Sequence, residues 1–243
     1  MNKCDLITVL FRMCNLEIVF ENEELIAINK PHGLLVHRTS IAKDAKEFAL
    51  QKLRDQIGLQ VNPAHRLDRK TSGVLLFTKS RAASQEIQPL FDRRQVRKKY
   101  LAIVRGFLPL FGTVEYALKD EFKIRDAKTD YQTLEQFEVE IPLNDFPTSR
   151  YSLIKLCPLT GRFHQIRRHL AHIFHPIIGD RPHGCNKQNK LWKEKFGLTV
   201  MLLHAEELEF NSDRFGKIQI TATPSPEFMR ALSILGSQLD LKK

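Results

Sequence analysis

The sequence predicts an α+β protein: a mainly antiparallel, mixed sheet flanked by helices and loops, with a central cleft. Three observations point there. Two β-branched, apolar runs at 16–20 and 25–28 are separated only by Glu21-Asn22-Glu23-Glu24, the pattern of a hairpin. The unbroken apolar run Val74-Leu75-Leu76-Phe77 reads as a buried strand. Strands and helices do not alternate regularly along the chain, which argues against a doubly wound parallel sheet.

Taken in order, the hairpin opens the sheet, and Pro31 and Gly33 then enforce an irregular turn within Asn29-Lys30-Pro31-His32-Gly33-Leu34-Leu35-Val36-His37. Helical spacing of Ala45, Phe48, Ala49, Leu53 and Ile57, broken by Lys52, predicts a helix over 44–57 that stops at Gly58. Residues 61–64 lead into a polar stretch and then the strand 74–78. Ser80 is placed to cap a helix over 81–92 with Ala83, Ile87, Leu90 and Phe91 on its apolar face. From 108 to 150 the signals weaken. Strands are expected near 113–117, 133–140 and 151–156, a charged surface loop over 120–130 and a turn over 142–147. A helix begins within 162–172, a last strand covers 218–221 and a short helix covers 226–235.

The 243 residues suffice for one large catalytic domain with a sizeable core. A net charge of +10 and a pI near 9.5 point to a polyanionic partner. No apolar run approaches the roughly 20 residues needed to span a bilayer, and residues 1–15 lack the order of a secretory signal, so a cytosolic (cytoplasmic) protein is expected. Cys4, Cys14, Cys157 and Cys185 are scattered without paired spacing, which argues against a disulfide framework or a Cys-rich zinc knuckle.

Chemistry concentrates in three places. In His65-Arg66-Leu67-Asp68-Arg69-Lys70-Thr71-Ser72-Gly73 one carboxylate stands between two guanidinium groups. A nearby fixed cation depresses a carboxylate pKa by roughly 1–3 units, so Asp68 should be charged at neutral pH and suited to nucleophilic catalysis. The same residues also describe a plain turn. The run 93–99 carries Arg93, Arg94, Arg97, Lys98 and Lys99 just before Tyr100, which joins phosphate-neutralising charge to a ring able to stack on a base. A solvated loop followed by a core tyrosine fits that run equally well. His164, His169, His172 and His175 raise the question of zinc, but there is no H-E-x-x-H, Cys pair or clear third ligand; phosphate contact or packing fits better.

The stretch 65–73 resembles the signature H-R-L-D-x-x-T-S-G of the RluA family of pseudouridine synthases. Further resemblances are the K-P-x-G-L-x-V-H segment from Lys30, the L-H-A segment at 203–205 and T-G-R-x-H-Q-[IL]-R-x-H from Thr160. The family resemblance implies the pseudouridine synthase catalytic fold over 16–243, with an RNA-binding cleft and no separate N-terminal RNA-binding domain; residues 1–15 match no counterpart. It implies Asp68 as the catalytic nucleophile, acting on uracil or on ribose. It further implies Tyr100 stacked on the target uracil and Arg66 filling the space the flipped base leaves. Arg167 would pair with the catalytic carboxylate, bidentately if the geometry allows. No metal or redox cofactor is implied, and the partner is RNA, with no membrane and no obligate protein partner, the chain being a monomer. The H-P-I-I-G-D, H-G-x-x-x-Q-N and E-x-F-G-L pieces look like a branch of the family acting on tRNA, at a T-stem, uridine-65 type site. Cys185 stands where an acidic residue is more usual. Alternatives are a ribosomal-RNA uridine, a non-catalytic RNA-binding module, or a glycosidic hydrolase. The last needs a second carboxylate, for which Glu207 and Asp180 are the nearest candidates.

Overall fold

The computed structural model describes residues 15–38, 47–119, 123–143, 145–239 and 241. Cys4, Cys14 and the expected helix start at 44–46 lie outside them. β1 (Glu17–Glu21) and β2 (Leu25–Lys30) form the expected antiparallel hairpin. Its turn is closed by the Asn22 side chain, which accepts from the backbone N–H of Glu24 and Leu25. α1 (Ala49–Ile57) begins later than the periodicity predicts, because Phe48 is extended and bridges Leu35. It ends on Gly58 at φ 68, whose N–H donates to Arg54 O.

β3 (Asn62–Pro63) and β4 (Ser72–Thr78) follow, then α2 (Arg81–Asp92), capped by Ser80 Oγ accepting from Ala83 N, and β5 (Arg97–Arg105). β6 (Phe111–Glu115), β9 (Lys128–Val139) and β10 (Ser149–Pro158) form the next antiparallel ladder. Within the charged stretch 120–130, whose residues 120–122 lie outside the described ones, the rest is not simply a surface loop: β7 (Leu118–Lys119) pairs β8 (Ile124–Arg125), and β9 has begun by Lys128. β7 and β8 are two residues each and form a small separate sheet, too short to show an apolar alternation, so polarity alone reads them as loop. α3 (Gln165–His172), α4 (Asn186–Phe196), β11 (Leu203–Ser212), β12 (Gly216–Thr221) and α5 (Pro226–Leu235) complete the chain.

Ten strands among the described residues make one sheet, ordered β1-β2-β4-β11-β5-β10-β9-β6, with β3 on β4 and β12 on β11. Every pairing of these strands is antiparallel except β4–β11, where Ser72 and Gly73 lie beside His204 and Ala205. That junction sits near the middle of the sheet. Side chains alternate across it as strand geometry requires. On β5, Leu101 and Ile103 enter a core with Trp192 of α4 and Phe228 of α5, while Ala102 and Val104 face Ile166 and Leu170 of α3. On β4, Val74 and Leu76 pack with Ala83 and Ile87 of α2, and Leu75 and Phe77 with Ala49 and Leu53 of α1. Both faces of β4 are covered, which is why its sequence is continuously apolar; each large side chain so buried stabilises by roughly 1.5–3 kcal/mol. No helix among the described residues is long and apolar enough to cross a membrane.

Candidate active site

The loop delivering Asp68 is fixed on both sides. Thr71 N donates to Asp68 O at 3.0 Å, so Asp68 opens a tight turn just before β4. Gly73, at φ 110, lies so close to β11 that a Cβ would sit 2.1 Å from Ala205 O. Ser72 donates to His204 Nδ1 at 2.9 Å, and the imidazole's Nε2–H donates to Ala222 O, a carbonyl that can only accept. On the other side Lys30 Nζ, fully buried, donates to Pro31 O, Leu34 O and Arg69 O at 2.9–3.2 Å. Burial pulls the Lys30 ammonium down to about 7 while the charge of Asp68 pushes it back up. Three carbonyl acceptors need three N–H donors, so the geometry itself favours the charged form. Gly33 N and Arg69 Nε close the clamp by bonding Arg69 O and Gly33 O.

The cation on Asp68 comes from far along the chain. Arg167 Nη1 on α3 donates to Asp68 Oδ2 at 3.0 Å. This contact is single, not the bidentate grip the motif suggests. The two-pronged contact goes to Asp180, where Nε and Nη2 donate to Oδ2 and Oδ1 at 2.7 and 2.8 Å. Arg167 and Asp180 are 4% and 1% exposed. Burial works against both charges, but the pair more than offsets it, holding Arg167 above and Asp180 below the usual ranges. Asp180 is itself placed by the pieces around it: His183 N donates to its Oδ1, and Asn189 bridges Asp180 O to Gly179 N.

Tyr100 on β5 completes the floor. Across the sheet, Gly73 pairs with Ala205 and Ala205 with Tyr100, so strand register brings the ring beneath the Asp68 loop. Burial, then the charge of Asp68, raises the Tyr100 hydroxyl, which stays protonated at neutral pH. Arg66 is exposed at the rim. Arg66, Asp68, Tyr100 and Arg167 thus line one cleft of about 610 Å3.

Sequence reasoning missed the parts that three groups play here. Asp180 is one; its signal was the H-P-I-I-G-D piece. His164, in the left-handed region at φ 53, places Nε2 3.6 Å from Asp68 Oδ2 and Nδ1 3.0 Å from His183 Nε2, while the Phe163 ring stacks on it at 3.7 Å. Burial lowers His164 to about 4 against the pull of Asp68, so it is neutral at physiological pH. The third is the Lys30 clamp. The histidines of the sequence cluster have separate duties: His169 bonds Thr129 and Tyr116 O, His172 stacks on Tyr116, and His175 donates to Arg105 O. No group of three or more His, Cys, Asp or Glu among the described residues is placed to hold a metal. Neither candidate acid of the hydrolase reading is suited to the task. Asp180 is locked to Arg167, and Glu207, opposed by burial but bonded to Lys99 at 2.6 Å, is held below the usual carboxylate range.

Residues 24–172 match the family described as RNA pseudouridylate synthase. The chain is 47% identical over 207 residues to tRNA pseudouridine synthase C of Vibrio vulnificus, covering 80% of this chain and 84% of that protein. It is 43% identical over 234 residues to tRNA pseudouridine synthase C of Salmonella typhimurium, covering 91% and 90%. Among solved structures, Human RNA Pseudouridylate Synthase Domain Containing 4 is similar, with a TM-score of 0.70 and 25% identity over 97% of each chain. Human RNA Pseudouridylate Synthase Domain Containing 1 gives 0.71 and 25% over 88% of this chain and 84% of that one.

Proposed function

The chain belongs to the RNA pseudouridylate synthase family and is an RNA pseudouridine synthase, and we propose that it isomerises a T-stem uridine of tRNA with Asp68 as nucleophile. In the net reaction the bond from uracil N1 to ribose C1′ breaks, the base turns, and C5 bonds to C1′. The proton leaves C5 and N1 gains one, so nothing is oxidised or reduced. The observation that carries the reading is the holding of Asp68: a buried guanidinium engages Oδ2 alone, and Oδ1 has no hydrogen-bond donor among the described residues. One oxygen is thereby oriented and the other left to react. In this reading Arg167 orients Asp68, Tyr100 stacks on the uracil, and Arg66 fills the gap left in the RNA. Extracting the base costs a few kcal/mol, offset by phosphate contacts on a strongly basic surface. The tRNA assignment is supported by the Vibrio vulnificus and Salmonella typhimurium relatives, at 47% and 43% identity, both named tRNA pseudouridine synthase C. We also read residues 16–243 as one catalytic domain, since the ten-stranded sheet includes both β1 and β12.

The test is pseudouridine mapping on unmodified tRNA and ribosomal RNA transcripts incubated with wild type and with Asp68→Asn. A new pseudouridine in the tRNA T-stem, made by wild type only and with RNA binding kept by the variant, is the expected result. Modification confined to ribosomal RNA overturns the tRNA assignment, and modification by Asp68→Asn overturns the nucleophile.

A further inference from the structure

Once C5 of uracil has bonded to ribose C1′, it carries both the sugar and its own hydrogen, and the conjugated ring returns only when that hydrogen leaves. We propose that His164 takes the C5 proton on Nε2 and passes one from Nδ1 through His183 to solvent. The C5–H electron pair becomes the C5=C6 bond, the C6=N1 pair moves onto N1, and N1 takes a proton from water, so no oxidant or reductant enters. The inference rests on the proposed reaction at Asp68 and names the base which that reaction requires.

His164 lines the same cleft as Asp68, and its Nε2 stands 3.6 Å from Asp68 Oδ2. That is beyond hydrogen-bonding distance, so Nε2 is tied to no donor or acceptor among the described residues while lying beside whatever Asp68 touches. The other proton acceptors of the cleft are less suited. His65 Nε2 already accepts from Leu76 N. Tyr100 keeps its proton, because burial and then the charge of Asp68 raise its hydroxyl. Asp92 is exposed at the end of α2, where Gln88 donates to it. Asp68 itself is engaged in the opening step of the proposed reaction.

The second imidazole supplies the exit. His164 Nδ1 and His183 Nε2 are 3.0 Å apart. Between two neutral rings a single proton fills that gap, and either ring can own it. His183 Nδ1 hydrogen-bonds no described residue and is not buried, so it meets solvent. Burial is the leading cause that lowers both rings, His164 to about 4, and the charge of Arg167 lowers them further, so both are neutral at physiological pH. An imidazole that had to become a cation there would be a poor base. One that gives up a proton from Nδ1 as it gains one on Nε2 stays neutral throughout, and His183 does the same as it passes its own to water.

The pair is held in place at a conformational cost. His164 sits in the left-handed region at φ 53, uncommon for any residue with a side chain. The Phe163 ring covers one face of the imidazole, with the two planes 21° apart. Asp180 Oδ1, which also takes Arg167 Nη2, accepts from His183 N at 3.3 Å and so fixes the second ring to the same support. Backbone strain of this kind persists where the surroundings over-determine it, and it gathers at reacting sites. Packing alone asks for neither an uncommitted Nε2 facing the cleft nor a second imidazole on Nδ1.

Single-turnover rates of pseudouridine formation are measured on tRNA transcripts carrying hydrogen or deuterium at uridine C5, with the melting temperature and RNA dissociation constant of wild type, His164→Asn, His164→Gly and His183→Gln. Asparagine accepts the left-handed backbone and keeps a polar atom near the place of Nδ1, but offers nothing at Nε2. His164→Asn is expected to slow the reaction by about a hundredfold or more, as loss of a general base does. Loss of the C5 proton then becomes limiting, so its deuterium isotope effect exceeds that of wild type, while RNA binding and melting change little. His183→Gln should show a smaller loss of the same kind. His164→Gly places glycine where φ is positive and opens a space the size of the missing ring, so added imidazole should restore its rate. His164→Asn at the wild-type rate overturns the proposal. A slow His164→Asn with the wild-type isotope effect, together with a His164→Gly that imidazole does not rescue, also overturns it and leaves His164 a positioning residue. Pseudouridine absent with wild type, or formed by Asp68→Asn, overturns the reading beneath the proposal and the proposal with it, and is seen without any histidine variant.

Discussion

The guanidinium of Arg167 serves two carboxylates, and the division decides what each can do. Asp180 takes the bidentate face and is buried, so it sets the plane of the guanidinium; Asp68 takes the remaining nitrogen through Oδ2 alone, which in the proposed reaction leaves Oδ1 to react. In that proposal Asp180 is a positioning residue. Removing its charge leaves Arg167 buried with only one partly exposed partner, and a broken buried pair typically costs about 3–5 kcal/mol. Asp180→Asn is expected to lower the urea midpoint accordingly and to slow single-turnover pseudouridine formation about a hundredfold, because the guanidinium swings toward Asp68. Asp68→Asn, at the partly exposed end, should leave the unfolding free energy within about 1 kcal/mol of wild type. A wild-type turnover rate in Asp180→Asn would show that Arg167 is oriented by something else. The Asp68–Arg167 pair was readable because both residues stand in long motifs. The Asp180–Arg167 pair was not: Asp180 stood in a motif, but which cation it holds is set only once folding buries it against a residue 13 positions away.

At the scale of elements, the junction of β4 and β11 does for the loop what Arg167 does for the side chain. Here the turn after Asp68 must enter a strand that touches its parallel neighbour backbone to backbone, and only glycine fits. Gly73→Ala meets Ala205 O in a conformation, φ 110, that side chains rarely adopt. The expected cost is more than about 3 kcal/mol, with the Asp68 turn displaced and turnover lost even where the protein still folds. Melting and single-turnover rates check this; a variant as stable and active as wild type refutes the tight junction. The strand itself was readable from its apolar run, and α2 from a capping serine and helical spacing. The hairpin of β7 and β8 was hidden in charged sequence, and α1 was overextended, because tertiary pairing of Phe48 with Leu35 outweighed helical periodicity.

For the whole molecule, strand order was the part no local pattern contained. β4 and β11 neighbour each other across some 130 residues of chain, as the Ser72–His204 bond shows with a separation of 132. Histidines stitch this long-range arrangement, and they do so as neutral rings. His65 Nε2 accepts from Leu76 N, His204 Nδ1 from Ser72, and His32 Nε2 from Met201 N. Protonation at those nitrogens removes the acceptor. Burial is the leading cause that lowers His65 to about 3 and His32, His164 and His204 to about 4, all below the ordinary 6.5. The sign follows directly. Above 6.5 neither folded nor unfolded rings are charged and no stability is lost; between 6.5 and about 4 the unfolded chain takes up protons the native state refuses, so stability falls with pH. Near pH 5.5 unfolding should take up on the order of three protons through these four rings. Urea midpoints should change little near pH 7.5 and drop increasingly steeply from about 6.5 to 5.5, before most carboxylates titrate. His204→Gln, which keeps one hydrogen-bonding end, should flatten part of that slope while lowering stability at pH 7.5. A midpoint constant across the window would mean that the rings are protonated in the native state, and that the β4–β11 junction is held by contacts other than these neutral acceptors.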